Sequence, residues 1–147
     1  LGTGVGGGII INKKPYKGRG NGGHVSQIVI CDSASKDKFF KFHTLETRCS
    51  SRALTSPKLM QMKAEKGDKR AILAFKNYGK SLGIGLGSII AILDPDIVVL
   101  GGGLAKAFPL FVNSMKSAIK DVTPFKAKVI QSKLEHSAIL GAVGQDF

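Results

Sequence analysis

The chain has no Trp, two Cys (Cys31 and Cys49), five Pro and ten acidic residues in 147. Two cysteines exclude a disulfide scaffold and a four-Cys zinc module, and such sparse use suits a reducing cytosol. No stretch approaches the ~20 apolar residues of a membrane span. The longest apolar run, Ile84 to Leu93, is interrupted by Gly85, Gly87 and Ser88. The opening Leu1-Gly2-Thr3-Gly4 has neither an initiator Met nor a basic n-region. It therefore does not read as a signal peptide, and the chain is expected to begin inside a longer protein. The 19 Gly follow no Gly-X-Y period, which excludes a collagen-like chain. There is no internal repeat.

What is present is a 43% apolar composition and 22 Lys plus Arg, giving a formal charge of +12. The apolar fraction excludes wholesale disorder. The length suits one domain, which at about 150 residues buries roughly 68–70% of its unfolded surface. A surplus of +12 first suggests a polyanion as partner.

Gly2 to Asn12 reads as a glycine-rich turn entering a strand, because Val5 and Ile9-Ile10-Ile11 are β-branched. Asn12 to Pro15 is a turn, and Lys17 to Gly23 a basic glycine loop. Val25 to Cys31 is expected as a second strand, with Asp32 to Lys38 as polar loop. Thr47 to Lys66 can hold one or two short helices, interrupted at Pro57. Asp68 is a good N-cap for the clearest helix. Ile72, Phe75, Gly79, Leu82, Leu86, Ile89 and Leu93 then recur at spacings of 3 and 4, one buried helical face, until Pro95 stops the helix.

Asp96 to Leu100 is a short apolar strand, and Phe108 to Lys120 is helical. Ala127 to Gln131 is another strand, and Ala138 to Val143 starts a small-residue helix. This order implies an α/β fold with a mixed sheet flanked by helices. Gly79, Gly83, Gly85 and Gly87 each cost about 1 kcal/mol inside a helix. Either close helix packing or a ligand pocket would explain them.

Two segments carry chemistry. Leu1-Gly2-Thr3-Gly4-Val5-Gly6-Gly7-Gly8 offers backbone N–H groups that no Cβ shields, plus the Thr3 hydroxyl. A glycine-rich hairpin without a ligand has the same composition. The segment is no Walker A loop, because no Gly-Lys-Ser/Thr follows, and it runs into Ile9-Ile10-Ile11 rather than a helix. Val98-Val99-Leu100-Gly101-Gly102-Gly103 ends a buried strand in three glycines, where open α/β sheets gather ligands. A tight β–α turn would read the same.

Together with Leu82-Gly83-Ile84-Gly85-Leu86, Leu93-Asp94-Pro95-Asp96 and the closing Ile139-Leu140-Gly141-Ala142, these segments resemble the C-terminal half of the ROK family of bacterial sugar kinases and sugar-responsive repressors. The resemblance implies an actin-like ATPase (ribonuclease H-like) lobe spanning residues 1–147. The N-terminal lobe is absent from it and the first strand is incomplete. It further implies that Gly2, Thr3 and Gly4 face the phosphates of ATP with Mg²⁺, and that Gly101, Gly102 and Gly103 face the adenosine. Leu45-Glu46 matches the family's Leu-Glu pair, whose carboxylate accepts sugar hydroxyls.

Three departures stand out. The family's Gly-Glu-x-Gly-His segment corresponds here to Gly23-His24-Val25-Ser26-Gln27. Without a gap, His24 replaces the Glu and Gln27 the His. With a gap, His24 is itself the family His. Both are candidate sugar-binding residues. The family's zinc cysteines are Asp37, Phe39 and Thr44 here, and Cys31, Cys49, His24 and His43 lack zinc-ligand spacing, so no metal site is expected. Finally, the lobe that supplies the family's catalytic Asp is missing, so no catalytic residue is expected in this chain.

The leading expectation is the C-terminal lobe of an ATP-dependent kinase of glucose, fructose or an N-acetylhexosamine, cytoplasmic and homodimeric by resemblance. The alternative is the sugar-sensing lobe of a repressor. A basic nucleic-acid-binding module is third. Its best support is Phe39, Phe40 and Phe42 among Lys36, Lys38 and Lys41, a pattern that a hairpin with one buried face also produces. The charge surplus is better described as a shortage of acids.

Overall fold

The computed structural model describes residues 1–34 and 41–134. The helix expected after Asp68 is its central element. The Asp68 carboxylate accepts the Ala71 N–H at 2.8 Å and caps a 25-residue helix, α3 (Lys69–Leu93). Asp94 leaves the helix in the left-handed region (φ 42°), and Pro95 prevents continuation. Phe75, Tyr78, Leu82, Leu86 and Ile90 form its buried stripe. Of the expected face, Ile72 and Ile89 are half-buried and Leu93 is exposed. The 3.6-residue period drifts across a 25-residue helix, so Tyr78 and Ile90 take their places.

The second long helix, α4 (Phe108–Val122), packs Phe111, Met115 and Ile119 against α3 and the core. Its approach explains the glycines. A Cβ on Gly79 would lie 2.5 Å from the Phe111 carbonyl oxygen, one on Gly83 would strike the Met115 carbonyl oxygen, and one on Gly87 would lie 2.6 Å from Val122 Cβ. Spaced by four, the three share one ridge of α3. Gly85 points elsewhere, where a Cβ would sit 2.6 Å from Leu45 Cδ1. None of the four lines the cleft described below. Close packing therefore accounts for them. Tyr78 and Phe111 meet edge-on at 5.2 Å across the same contact.

The strands pair in both senses, but as three separate pairs rather than one mixed sheet. β1 (Ile10–Ile11) and β2 (Lys14–Pro15) form a small antiparallel hairpin. β3 (Val29–Ala34) and β4 (Phe42–Thr44) are antiparallel. β5 (Ile97–Leu100) and β6 (Lys128–Gln131) are parallel and joined through α4. The strand expected over Gly2–Asn12 shrinks to β1. Gly7 presses on Val25 instead of extending a ladder: a Cβ there would come 2.6 Å from Val25 Cγ2. The strand expected at Val25 starts at Val29, because Val25–Gln27 is a 3₁₀ turn. The Val25 N–H donates to the Gly23 carbonyl at 2.7 Å, and these local bonds displace the extended conformation. In β5, Val98 and Leu100 face inward, whereas Ile97 and Val99 remain about half exposed.

Between β4 and α3 lie two shorter helices. α1 (Leu45–Cys49) begins with reciprocal caps: the Thr47 N–H donates to Thr44 Oγ1, and the Thr44 N–H to Thr47 Oγ1. α2 (Pro57–Glu65) starts at Pro57, the position where proline costs a helix nothing. The Tyr78 hydroxyl donates to the Cys49 carbonyl at 3.1 Å and ties α1 to α3. The Ala138–Val143 helix start and the closing Ile139–Ala142 motif lie outside the described residues, as do Phe39 and Phe40. Among the described residues no helix is long and apolar enough to cross a membrane.

Two outcomes follow. Gly83→Ala gains helix propensity but overpacks rigid backbone, and should cost about 1–3 kcal/mol in urea unfolding. Gly8→Ala, with nothing within 4 Å, should not. Burial also raises the Cys49 thiol to about 12, and raises the Tyr78 hydroxyl too. A raised folded-state pKa contributes stability that is complete below the unfolded value near 9 and fades as pH climbs towards 12. The unfolding midpoint should therefore fall above pH 9, and less steeply in Cys49→Ala.

Candidate nucleotide and sugar cleft

Leu1 to Gly4 and Gly101 to Gly103 lie a hundred residues apart in sequence and touch in space. The Leu1 backbone nitrogen donates to the Gly101 carbonyl at 2.6 Å, and the Leu104 N–H donates to the Leu1 carbonyl at 3.1 Å. Gly102 sits at φ +91°, and a Cβ on it would strike Leu1. Only glycine satisfies both demands. The Ser51 N–H donates to the Gly2 carbonyl at 2.7 Å, fixing the first loop to the segment after α1.

The two glycine segments border a cleft of about 640 Å³. Gly2 and Thr3 form one side, Gly103 and Leu104 another, and Lys58 and Gln61 of α2 the third. Lys106 adds a second cation at the rim. Gly4, Gly101 and Gly102 are not in this lining, and Gly101 lines a second, smaller cavity. Bare backbone, a threonine hydroxyl and two lysines suit a phosphorylated ligand, and they share the lining with Glu65 and the apolar Met62, Phe75 and Leu104. The smaller cavity, of about 210 Å³, is lined mostly by apolar side chains such as Leu45, Leu82 and Val98. The α2 and Lys106 contributions have no sequence signal, because they depend on the packing of α2 on α3 and on the turn that precedes α4.

Glu46 stands in the first turn of α1, where a carboxylate also favours the helix N-terminus. Its Oε2 accepts the Val5 N–H at 3.0 Å. His24 and Gln27 are both exposed at the 3₁₀ turn. The Leu45 N–H donates to the Ile28 carbonyl at 2.8 Å, which draws that turn to the start of α1. Glu46 thus meets the first glycine loop at Val5, and Val25 of the turn meets it at Gly7, while His24, Gln27 and Glu46 line neither cavity.

Among the described residues no group of three His, Cys, Asp or Glu comes together. Thr44 is occupied in capping, and Cys49 is buried. Asp37 and Phe39 lie outside the described residues.

Helices thus pack on short parallel and antiparallel strands, and the two glycine turns meet at a cleft. The ROK family model matches residues 1–144, and the chain belongs to the ROK family. An N-acetyl-D-glucosamine kinase of Citrobacter koseri is 33% identical over 71% of this chain. The chain spans only 42% of that protein's length. Two solved structures share the fold. A ROK family glucokinase from Streptomyces griseus, in complex with glucose and AMPPNP, has a TM-score of 0.78 at 22% identity, covering 94% of this chain and 55% of its own. A ROK family transcriptional regulator, homologous to the MLC protein of E. coli, has a TM-score of 0.83 at 21% identity, covering 94% and 41%.

Gly102→Ala should break the junction between the two loops. Strain at positive φ plus the collision with Leu1 is expected to cost about 1–3 kcal/mol. Denaturant unfolding measures it, and an unchanged midpoint would count against the junction.

Proposed function

We propose that this chain is the C-terminal, nucleotide- and sugar-binding lobe of an ATP-dependent hexose kinase of the N-acetylglucosamine or glucose type. The observation that carries the reading is the single cleft on which Gly2, Thr3 and Gly103 converge. The backbone of Gly2 to Gly4 and the Thr3 hydroxyl receive the ATP phosphates, and Gly101 to Gly103 receive the adenosine. Glu46 accepts sugar hydroxyls, assisted by His24 and Gln27. Mg²⁺ carried with ATP neutralises charge on the transferring phosphoryl group. The general base belongs to a second lobe, so the 147 residues alone are not expected to phosphorylate a sugar. The lobe is assigned to a homodimer on the same reading.

The second reading is a sugar-sensing repressor lobe. It is favoured by the Gly23–Gln27 segment, which, read without a gap, has His24 and Gln27 where a kinase of this family uses a carboxylate and a histidine. The upstream sequence separates the two: a phosphate loop with an Asp base marks a kinase, a helix-turn-helix a repressor.

Mg²⁺–AMPPNP binding, followed by calorimetry, tests the cleft. A Cβ at Gly103 meets nothing within 4 Å and Gly103 lines the cleft, so Gly103→Ala adds a methyl to the cleft wall without striking a neighbour. It should weaken AMPPNP at least tenfold while leaving the unfolding midpoint unchanged. Equal binding by both proteins would refute the assignment.

A further inference from the structure

We infer that Glu46 is a clamp on the phosphate loop, and that through it sugar and nucleotide strengthen each other's binding. The clamp rests on geometry alone, and the coupling rests on the kinase reading above.

Val5 is the anchor of the loop. Its side chain is 6% exposed, and its N–H has one acceptor, Glu46 Oε2, at 3.0 Å. A backbone donor beside a buried side chain is costly without a partner. Among the described residues, residues 1–8 belong to no ladder. A carboxylate 41 residues away does what a neighbouring strand does elsewhere. The approach is close on both oxygens: a Cβ on Gly4 would lie 3.2 Å from Oε2 and 3.5 Å from Oε1. Gly4 therefore has a second task besides exposing its N–H. Its missing side chain admits the carboxylate.

A carboxylate has about four acceptor sites, and Val5 uses one. Sugar hydroxyls have the remainder, so the sugar need not displace the loop. Holding Glu46 in one rotamer for either partner removes that ordering cost for the other, which is positive coupling without a change of shape. Linkage makes the effect reciprocal. Glu46 then positions the nucleotide loop without itself lining the nucleotide cleft.

Amide hydrogen exchange at Val5 in the ligand-free chain tests the clamp. Glu46→Ala should speed it at least tenfold relative to the Leu82 amide in α3. Glu46→Gln loses the charge but keeps an oxygen acceptor, and should stay within threefold of the parent. If Glu46→Ala does not fold, Glu46→Asp, which retracts the acceptor by one methylene, takes its place. Unchanged exchange in the shortened variant, or equal acceleration in Glu46→Gln, overturns the clamp.

The coupling is read from AMPPNP affinity with and without saturating N-acetylglucosamine. At least a threefold tightening is expected, matched by the sugar's own gain. A sugar that binds and leaves AMPPNP affinity unchanged overturns the coupling. Failure of both ligands to bind, with the exchange pattern intact, overturns the kinase reading and the coupling while the clamp stands.

Discussion

Helices α3 and α4 lie as close as they do because Gly79, Gly83 and Gly87 have no Cβ, and most of the remaining structure follows from that contact. The three glycines cost about 1 kcal/mol each against alanine in a helix. Full burial of Phe111 and Met115 returns about 1.5–3 kcal/mol apiece, so close packing prevails. With α4 fixed, the turn at Gly101–Leu104 that feeds it is fixed too. That turn meets Leu1 and thereby places the first glycine loop.

The cleft is consequently a product of long-range contacts rather than of one motif. One side comes from Gly2 and Thr3 and the opposite side from Gly103 and Leu104, a hundred positions later. α2 closes it, a helix whose own sequence advertises no function. Glu46 is tied to the same assembly, because its carboxylate is bonded to the backbone of the first loop.

The elements with local signals were legible in the sequence. Asp68 capped its helix and Pro95 ended it, and the apolar run to Leu100 was a strand. α1 carried a signal that was overlooked, since Thr44 and Thr47 stand at capping-box spacing. The misplaced start of β3 shows the limit. Val25 has strand propensity, but the turn bonds set up by Gly23 prevail over it. Of the residues that the sequence singles out, Gly2, Thr3 and Gly103 line the cleft and Glu46 does not. Lys58, Gln61 and Lys106 were not legible, because their role depends on where α2 and the α4 turn come to rest. Nor did the sequence suggest that Glu46 would reach Val5.

The half-exposed Ile97 and Val99 on β5 give the charge surplus a colloidal meaning. Two copies that brought these apolar faces together would also bring together two bodies of formal charge +12. In dilute buffer that repulsion keeps the molecules apart. At physiological ionic strength its reach shrinks to about 8 Å, close to the thickness of one side-chain layer. The shortage of acids thus makes dispersal of this lobe in solution a function of salt, and concentrated salt favours the meeting of strand faces that dilute buffer prevents.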